Sequence, residues 1–184
     1  MPGMGLKRAE EILRHAVALC LEMDPDSKAA QSVIRKSWPT STEGGMLPEW
    51  ERLDDFCFLR LFEDIADEYG LRKDITYRFD ESTGVFYRIQ GETVVWQAML
   101  VFTGPDAQQN AASVRDRVFL APAKQFLQRN HLYPVTAVPP ALRNPELHQN
   151  QWWERCDLVI TLYECAVTEM EEAYFSSAPV SIQP

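Results

Sequence analysis

The sequence has few cationic residues, and this shortage limits the partners that it can attract. Its 18 lysines and arginines stand against 27 aspartates and glutamates, which gives a net charge of -9 at pH 7. A field of this sign repels nucleic-acid phosphates and anionic lipid headgroups. Any anionic partner would therefore need a local basic patch on a surface that is acidic overall.

Long uninterrupted apolar runs are also missing. The first apolar stretch, residues 12–21, is broken by Arg14 and His15 and belongs to an amphipathic pattern, so the sequence predicts no signal peptide. No window approaches the roughly 18 apolar residues that identify a membrane-spanning helix. We therefore expect a soluble protein without a membrane partner.

Cysteine and histidine are scarce, and neither type clusters. The four cysteines, Cys20, Cys57, Cys156 and Cys165, lie in apolar helical patterns and form no CxxC pair, and the three histidines lie on separate segments. Zinc and redox sites need such residues at close spacing. The sequence therefore predicts no metal site and no cofactor. It favours reduced core thiols in the cytoplasm or nucleus, with a disulfide framework as the alternative.

The sequence does contain enough apolar material for a core. Of its 184 residues, 46% are apolar and 11% aromatic, which fits one domain with an extension. Apolar residues at helical spacing predict a first helix from Leu6 to Met23, ended by Pro25, and a shorter helix that runs to about Lys36. A third helix is predicted over residues 49–70.

The apolar pattern then changes to the alternation that is typical of strands. Three segments rich in β-branched and aromatic side chains are divided by short turn signals, the second of which surrounds Gly91. These segments are residues 75–79, 85–89 and 93–102. Such short connections predict a three-stranded antiparallel meander.

Two further helices are predicted after the meander. The first covers residues 111–129, where Pro122 would kink it or reset its start. The alternative is a short strand over 117–121, with Pro122 opening a shorter helix. Residues 132–150 hold four prolines and are typical of an extended connector. The second helix is predicted over residues 151–175, because apolar side chains recur there near one helical face.

Together these elements predict an α+β fold, with a three-stranded antiparallel meander flanked by helices as an α-β-β-β-α core. Additional helices precede and follow that core. We divide the chain into segments that form one globular unit, with residues 38–48 as the best linker candidate. The segments are an N-terminal helical arm (1–37), the core (49–131), the Pro-rich connector (132–150) and a C-terminal helix (151–175).

No arrangement of reactive residues identifies a reaction. Acidic pairs such as Asp54 and Asp55 lie on predicted exposed helix faces, which lack the burial that acid–base catalysis requires. Gly44 and Gly45 are not followed by the lysine of a phosphate-binding loop, and no serine lies in a nucleophile elbow. The sequence therefore predicts no catalytic residue. An enzyme or small-ligand binder with a pocket outside these motifs is the alternative.

Trp152 and Trp153 are the most informative aromatic residues. Adjacent residues on a helix point about 100° apart, so the two side chains cannot face the same core. One of them reaches a second surface, either the Pro-rich connector or a partner, and exposed aromatic residues are frequent interface anchors. Together with Trp50, they are the predicted partner-binding residues.

The order helix, meander and helix over residues 52–129 resembles the double-stranded-RNA-binding domain. The local match is best over residues 61–77, which look like the first helix of that family, its terminal glycine and its first strand. That family reads duplex shape, 2′-hydroxyls and phosphates. Only Arg115, Arg117 and Lys124 lie near the positions where that family has its lysine cluster. The resemblance therefore implies a domain of this type that has drifted toward protein contact.

Three functional hypotheses follow. The leading one is a non-catalytic protein-interaction or regulatory domain that binds a protein partner or a second copy of itself. The first alternative is duplex RNA binding through a basic patch of Arg115, Arg117, Lys124 and Arg129, which the net charge disfavours. The second is the enzyme or small-ligand binder with a non-motif pocket.

Overall fold

The computed structural model describes residues 4–36, 53–64, 73–148 and 150–173. These residues form helices and strands in the following order: α1 (Leu6–Cys20), α2 (Lys28–Val33), β1 (Ile34–Lys36), β2 (Phe56–Glu63), β3 (Lys73–Asp80), β4 (Val85–Thr103), α3 (Ala107–Arg117), α4 (Ala123–Arg129), β5 (Leu132–Pro134), β6 (Leu142–Arg143), β7 (Glu146–His148), β8 (Gln151–Trp153) and β9 (Arg155–Glu171).

Seven of the described strands form one sheet, and β4 and β9 are its centre. The order is β1-β2-β4-β9-β5, with β3 also paired to β4 and β6 also paired to β9. β2 and β3 lie on the same edge of β4, because β2 pairs with its second half and β3 with its first half. β1 is parallel to β2, whereas the other pairs are antiparallel. β7 and β8 form a separate hairpin.

The pairing of β4 with β9 is continuous from one end of the sheet to the other. It runs without a break in register from Tyr87 opposite Glu171 to Thr103 opposite Arg155. β9 has 17 residues. At about 3.3 Å per residue, a strand of that length spans roughly 55 Å. The two strands therefore connect distant parts of the molecule through one hydrogen-bonded ladder.

The hydrophobic core lies between one face of this sheet and the helices. Along β4 and β9, alternate side chains such as Ala98, Leu100, Ile160 and Leu162 are fully buried, and we call the side of the sheet that they occupy the inner face. Residues of α1, α3 and α4 belong to the same buried cluster. Each fully buried leucine stabilises the fold by about 1.5–3 kcal/mol. The described core is thus a two-layer arrangement of helices on a sheet.

The predicted three-stranded meander is wrong. The second and third predicted strands are a single strand, β4, and the turn expected around Gly91 does not exist. Gly91 lies in extended backbone, opposite Asp74 on one side and Val167 on the other. A glycine between two apolar segments can form a turn or can lie within a central strand. At Gly91, pairing of the backbone on both edges favours the strand.

The predicted third and last helices are also wrong where the structure describes them. β2 occupies residues 56–63 of the expected third helix, and β8 and β9 replace the expected C-terminal helix. In both segments the buried side chains alternate, as in Cys57, Leu59 and Leu61 of β2. The apolar residues of β9 also fit the spacing of a helix. The segment is a strand because it pairs with β4 along one edge and with β5 and β6 along the other.

The helices predicted near the N-terminus and after the strands are observed, with different limits. α1 ends before Pro25, as expected, but α2 gives way to β1 at Ile34. The helix predicted over residues 111–129 is two helices, α3 and α4, which are separated by the segment before Pro122. A single helix over residues 111–129 is therefore wrong. A shorter helix does begin after Pro122, as the alternative predicted, but the strand of that alternative is absent from residues 117–121.

Three of the four cysteines are core residues, and none of the four forms a disulfide. Burial raises the pKa of the Cys20 thiol to about 12, and it raises the pKa of Cys57 as well. Both thiols are therefore held in the protonated, unreactive form. Cys165 differs, because its side chain is exposed on β9. The predicted helical placement is right for Cys20 alone, since the other three lie on strands.

Two sequence predictions fall outside the described residues. The linker candidate at residues 38–48 and the proposed partner-binding Trp50 both belong to a segment that the structure does not describe. Among the residues that are described, no helix has the length and apolar character needed to cross a membrane.

Candidate protein-interaction surface

One end of the long sheet continues beyond the helices as a three-stranded extension. We define this sheet extension as β3, residues 85–92 of β4 and residues 166–171 of β9, which pair with one another across its full width. No side chain of β3 is buried, whereas β2, which lies along the other half of β4, has four buried residues. The sheet extension is therefore a surface that the described helices leave uncovered.

The inner face of the sheet extension carries a group of apolar side chains. Strand register places Tyr77 beside Arg88, Phe79 beside Phe86, and Arg88 beside Met170, all on the side that the helices cover in the core. Tyr77 stacks on Phe86 with ring centroids 5.5 Å apart. We call the apolar side chains on this face the extension patch. They are Ile75, Tyr77, Phe79, Phe86 and Met170.

The extension patch is unusually accessible for its composition. Tyr77 is 56% exposed, and Ile75, Phe79 and Met170 are each between 45% and 48% exposed. Isolated exposed apolar residues are common, but contiguous ones mark interaction sites. A β-sheet holds such side chains in fixed positions, so little conformational entropy would be lost on binding.

The outer face of the same sheet extension is polar and internally paired. Arg78 forms an ion pair with Glu169 across β4, and its guanidinium lies 5.2 Å from the centre of the Tyr87 ring. The outer face thus pairs Arg78 within the chain, whereas the inner face presents several apolar side chains. The two faces differ in the kind of surface that each could bind.

Arg88 is the one arginine on the inner face of the described sheet extension, and its situation is unusual. Its Nε atom is shut off from solvent and has no hydrogen-bond acceptor among the described residues. Buried polar groups without a partner are rare in folded proteins, because leaving them unpaired is destabilising. The nearest cation on the same face along β3, Lys73, is already paired with Glu92 at 3.1 Å.

A buried carboxylate marks the junction between the core and the sheet extension. Glu164 of β9 is 3% exposed and accepts a hydrogen bond from the indole Nε1 of Trp96 at 2.7 Å. Its other oxygen accepts from the backbone N–H of Met4. These bonds fix the segment before α1 against the sheet where the helical layer ends.

A second exposed apolar pair lies at the opposite end of β9. Leu147 of β7 and Trp152 of β8 are direct cross-strand partners, and they are 56% and 65% exposed. We call these two residues the hairpin patch. Ion pairs of Arg143 with Glu154 and of Arg155 with Glu146 surround the base of this hairpin.

The predicted partner-binding tryptophans therefore have different environments. Trp152 is exposed in the hairpin patch, whereas Trp153 is half-buried opposite Glu146. The role of Trp152 and Trp153 in partner binding stays a prediction. The reasoning from a helix was wrong, because the two residues lie on a strand, where successive side chains point to opposite faces.

The four cations assigned to the RNA alternative do not share one environment. Arg115 donates to the backbone oxygen of Val138 at 3.3 Å, and Arg117 donates to that of Cys20 and pairs with Glu22. Both guanidinium groups therefore hold α3 against neighbouring segments. Lys124 and Arg129 are exposed on α4.

Residues suited to metal binding are equally dispersed. Within the described part of the chain, no group of three or more histidine, cysteine, aspartate or glutamate side chains could hold a metal ion. The paired Asp54 and Asp55 lie beside the turn that follows β4, where Asp55 accepts from the backbone N–H of Asp106 at 2.9 Å. This contact gives Asp55 a role in fixing that turn.

Sequence reasoning missed the extension patch as a site. The alternation of Ile75, Tyr77 and Phe79 was visible and correctly predicted a strand, but nothing local indicates which face the helices cover. Met170 was placed on a helix that does not exist.

Comparison with known proteins gives the chain a family. Residues 31–182 match the phage neck terminator protein family, which is most of the chain. No curated protein matches the sequence. The resemblance to the double-stranded-RNA-binding domain is therefore wrong. The structure agrees, because β2 lies in the segment compared with the first helix of that domain, and the single strand β4 lies in the segment compared with its meander. The chain belongs to the phage neck terminator protein family.

Proposed function

We propose that this protein is a non-catalytic assembly component of the phage neck that binds other structural proteins of the particle through the extension patch. Membership of the neck terminator family supports a structural role, in agreement with the leading hypothesis of a protein-interaction domain. The observation that carries the choice of surface is the exposure of Tyr77, Phe79 and Met170 on one face of a continuous sheet.

The construction of the sheet extension suits this role. Its central strand, β4, and its edge strand, β9, are continuous with the core, so one hydrogen-bonded ladder holds the sheet extension to the core. A three-stranded sheet with an apolar face can hold its shape in water, whereas an isolated hairpin is only marginally stable. Aromatic side chains on such a support are common binding hot spots.

The hairpin patch offers a second contact at the far end of the same ladder. Leu147 and Trp152 lie next to the start of β9, while Met170 lies near its end. A protein with apolar surfaces at both ends of one ladder could contact two neighbours in an assembly. The proposal therefore includes Trp152 as a partner-binding residue of this second contact.

The proposal is tested by replacing Tyr77 and Phe79 together with serine. Phage particles assembled without this protein are mixed with the purified wild type or the double variant, and the bound fraction is measured by sedimentation and electron microscopy of necks. We expect the double variant to bind on the order of 10-fold more weakly, because both substitutions remove aromatic anchors.

A matched control separates this surface from general loss of apolar area. Leu120, between α3 and α4, is 58% exposed and lies outside the sheet extension. Leu120→Ser should bind as well as the wild type, and circular dichroism should show that both variants are folded. Binding of the folded double variant at the wild-type level would reject the extension patch as the docking surface.

A further inference from the structure

We infer that the partner docks on the extension patch with a segment that carries an aspartate or glutamate among apolar side chains, and that Arg88 pairs with that carboxylate. The inference rests on the proposed function, because it assumes that the extension patch is the docking surface. It adds the chemistry by which the correct partner is recognised.

Arg88 lies among the side chains of the extension patch. Its strand neighbours on the same face are Tyr77 on one side and Met170 on the other. A carboxylate that meets Arg88 would therefore lie between apolar side chains of both neighbouring strands, which exclude water and strengthen the interaction. The same surroundings would reject a partner that brings an apolar group or a cation to this point.

The charges near Arg88 are already assigned to other partners or lie apart from it. Lys73 and Glu92 pair with each other, and Arg78 and Glu169 pair on the outer face. Glu172, which follows β9, is exposed and forms no ion pair with Arg88. The buried Nε of Arg88 has no acceptor in the described chain. Arg88 is thus a cation without a counter-charge beside the apolar side chains of Tyr77 and Met170.

The geometry of an arginine side chain specifies the ligand further. A guanidinium binds a carboxylate most strongly when two of its N–H groups donate in parallel to the two oxygens. Only the Nε of Arg88 is shut off from solvent without an acceptor, so its two terminal nitrogens can supply that pair. A partner carboxylate would therefore supply the counter-charge that Arg88 lacks within the chain.

Charge argues against a face-to-face pair of extension patches from two copies of this chain. Such a pair would bring two Arg88 groups into one apolar interface, which is unfavourable. A different structural protein of the particle, with a carboxylate in an apolar surface, fits the site better.

The test compares arginine variants on the two faces of the sheet extension. Arg88→Met removes the charge but keeps an apolar side chain of similar length, and Arg88→Lys keeps the charge without the two-pronged geometry. Arg78→Met is the matched control, because Arg78 lies opposite Tyr87 on the outer face. Binding to phage particles assembled without this protein is measured at several salt concentrations.

We expect Arg88→Met to bind about 30-fold more weakly, because it would leave the partner carboxylate buried and unpaired. Arg88→Lys should bind with intermediate strength, and Arg78→Met should bind like the wild type. Wild-type binding by Arg88→Met would overturn the inference and leave a purely apolar docking surface. Association of the wild type with itself in light scattering, abolished by Arg88→Met, would overturn it in favour of a second copy.

The two sets of variants distinguish failure of the Arg88 inference from failure of the proposed function. If the Tyr77→Ser, Phe79→Ser double variant binds normally, the extension patch is not the docking surface and the proposed function fails at that step. If the double variant fails to bind while Arg88→Met binds normally, the proposed function stands and only the carboxylate is rejected.

Discussion

The two halves of β4 and β9 share one ladder but differ in what covers them. In the core half, the inner-face residues Leu100 and Ile160 are fully buried beneath the helices. In the sheet extension, residues with the same alternation, such as Tyr77 and Met170, are about half exposed. The sequence pattern is therefore common to both halves, and the position of the helices decides whether an apolar face becomes core or interaction surface.

The largest expected contrast comes from one substitution made in both halves. Ile160→Thr places a hydroxyl in the core and should lower the free energy of unfolding by about 2–4 kcal/mol. Ile75→Thr keeps a β-branched residue on the exposed face. It should change the free energy of unfolding by no more than about 0.5 kcal/mol. Urea denaturation measures both values. Equal losses would mean that the sheet extension is packed as tightly as the core.

A smaller effect is expected at the junction between the two halves. Glu164→Leu leaves the indole N–H of Trp96 buried without an acceptor, which should cost about 1–3 kcal/mol of unfolding free energy. Glu164→Gln keeps an acceptor oxygen at the same position and should cost less. The comparison is made by thermal and urea denaturation. A leucine variant as stable as the wild type would show that this hydrogen bond is dispensable.

The smallest effect is expected at the turn between β3 and β4. The Asp80 carboxylate accepts hydrogen bonds from the hydroxyl and backbone N–H of Ser82, and these bonds lower its pKa. A carboxyl whose pKa is lower in the folded state stabilises the fold above its unfolded pKa of about 3.9. That contribution is lost as the pH falls through the lower, folded value.

We therefore expect the turn to loosen in acid before the core responds. Amide hydrogen exchange at Ser82 should quicken relative to core amides when the pH falls below about 4, after correction for intrinsic exchange rates. Asp80→Asn should remove this pH dependence. Unchanged protection of Ser82 across that range would show that the Asp80 bonds do not hold the turn.

Local sequence signals predicted the elements whose partners lie close in the chain. The amphipathic pattern of α1, the stop at Pro25 and the alternation in β3 all depend on neighbouring residues, and each is observed. β9 was mistaken for a helix because its apolar residues fit both periods. Its identity as a strand depends on β4, which lies about 70 residues earlier.

The candidate site was harder to predict than the strands that carry it. The aromatic residues of β3 could be found in the sequence, as could the exposed Trp152, which was proposed as a partner contact. The importance of Arg88 could not be found, because it depends on the register that places it beside Tyr77 and Met170. Coverage of a face by helices is a property of the whole chain and has no local signature.

The unbroken register of β4 with β9 also restricts how this protein can change during evolution. Side chains on a strand alternate with a period of two, so insertion or deletion of one residue between the core and the sheet extension would exchange its two faces. The extension patch would then turn away from the inner side, and the Arg78 ion pair would replace it. The reach of the sheet extension can therefore lengthen or shorten only in two-residue steps that are matched on its paired strands.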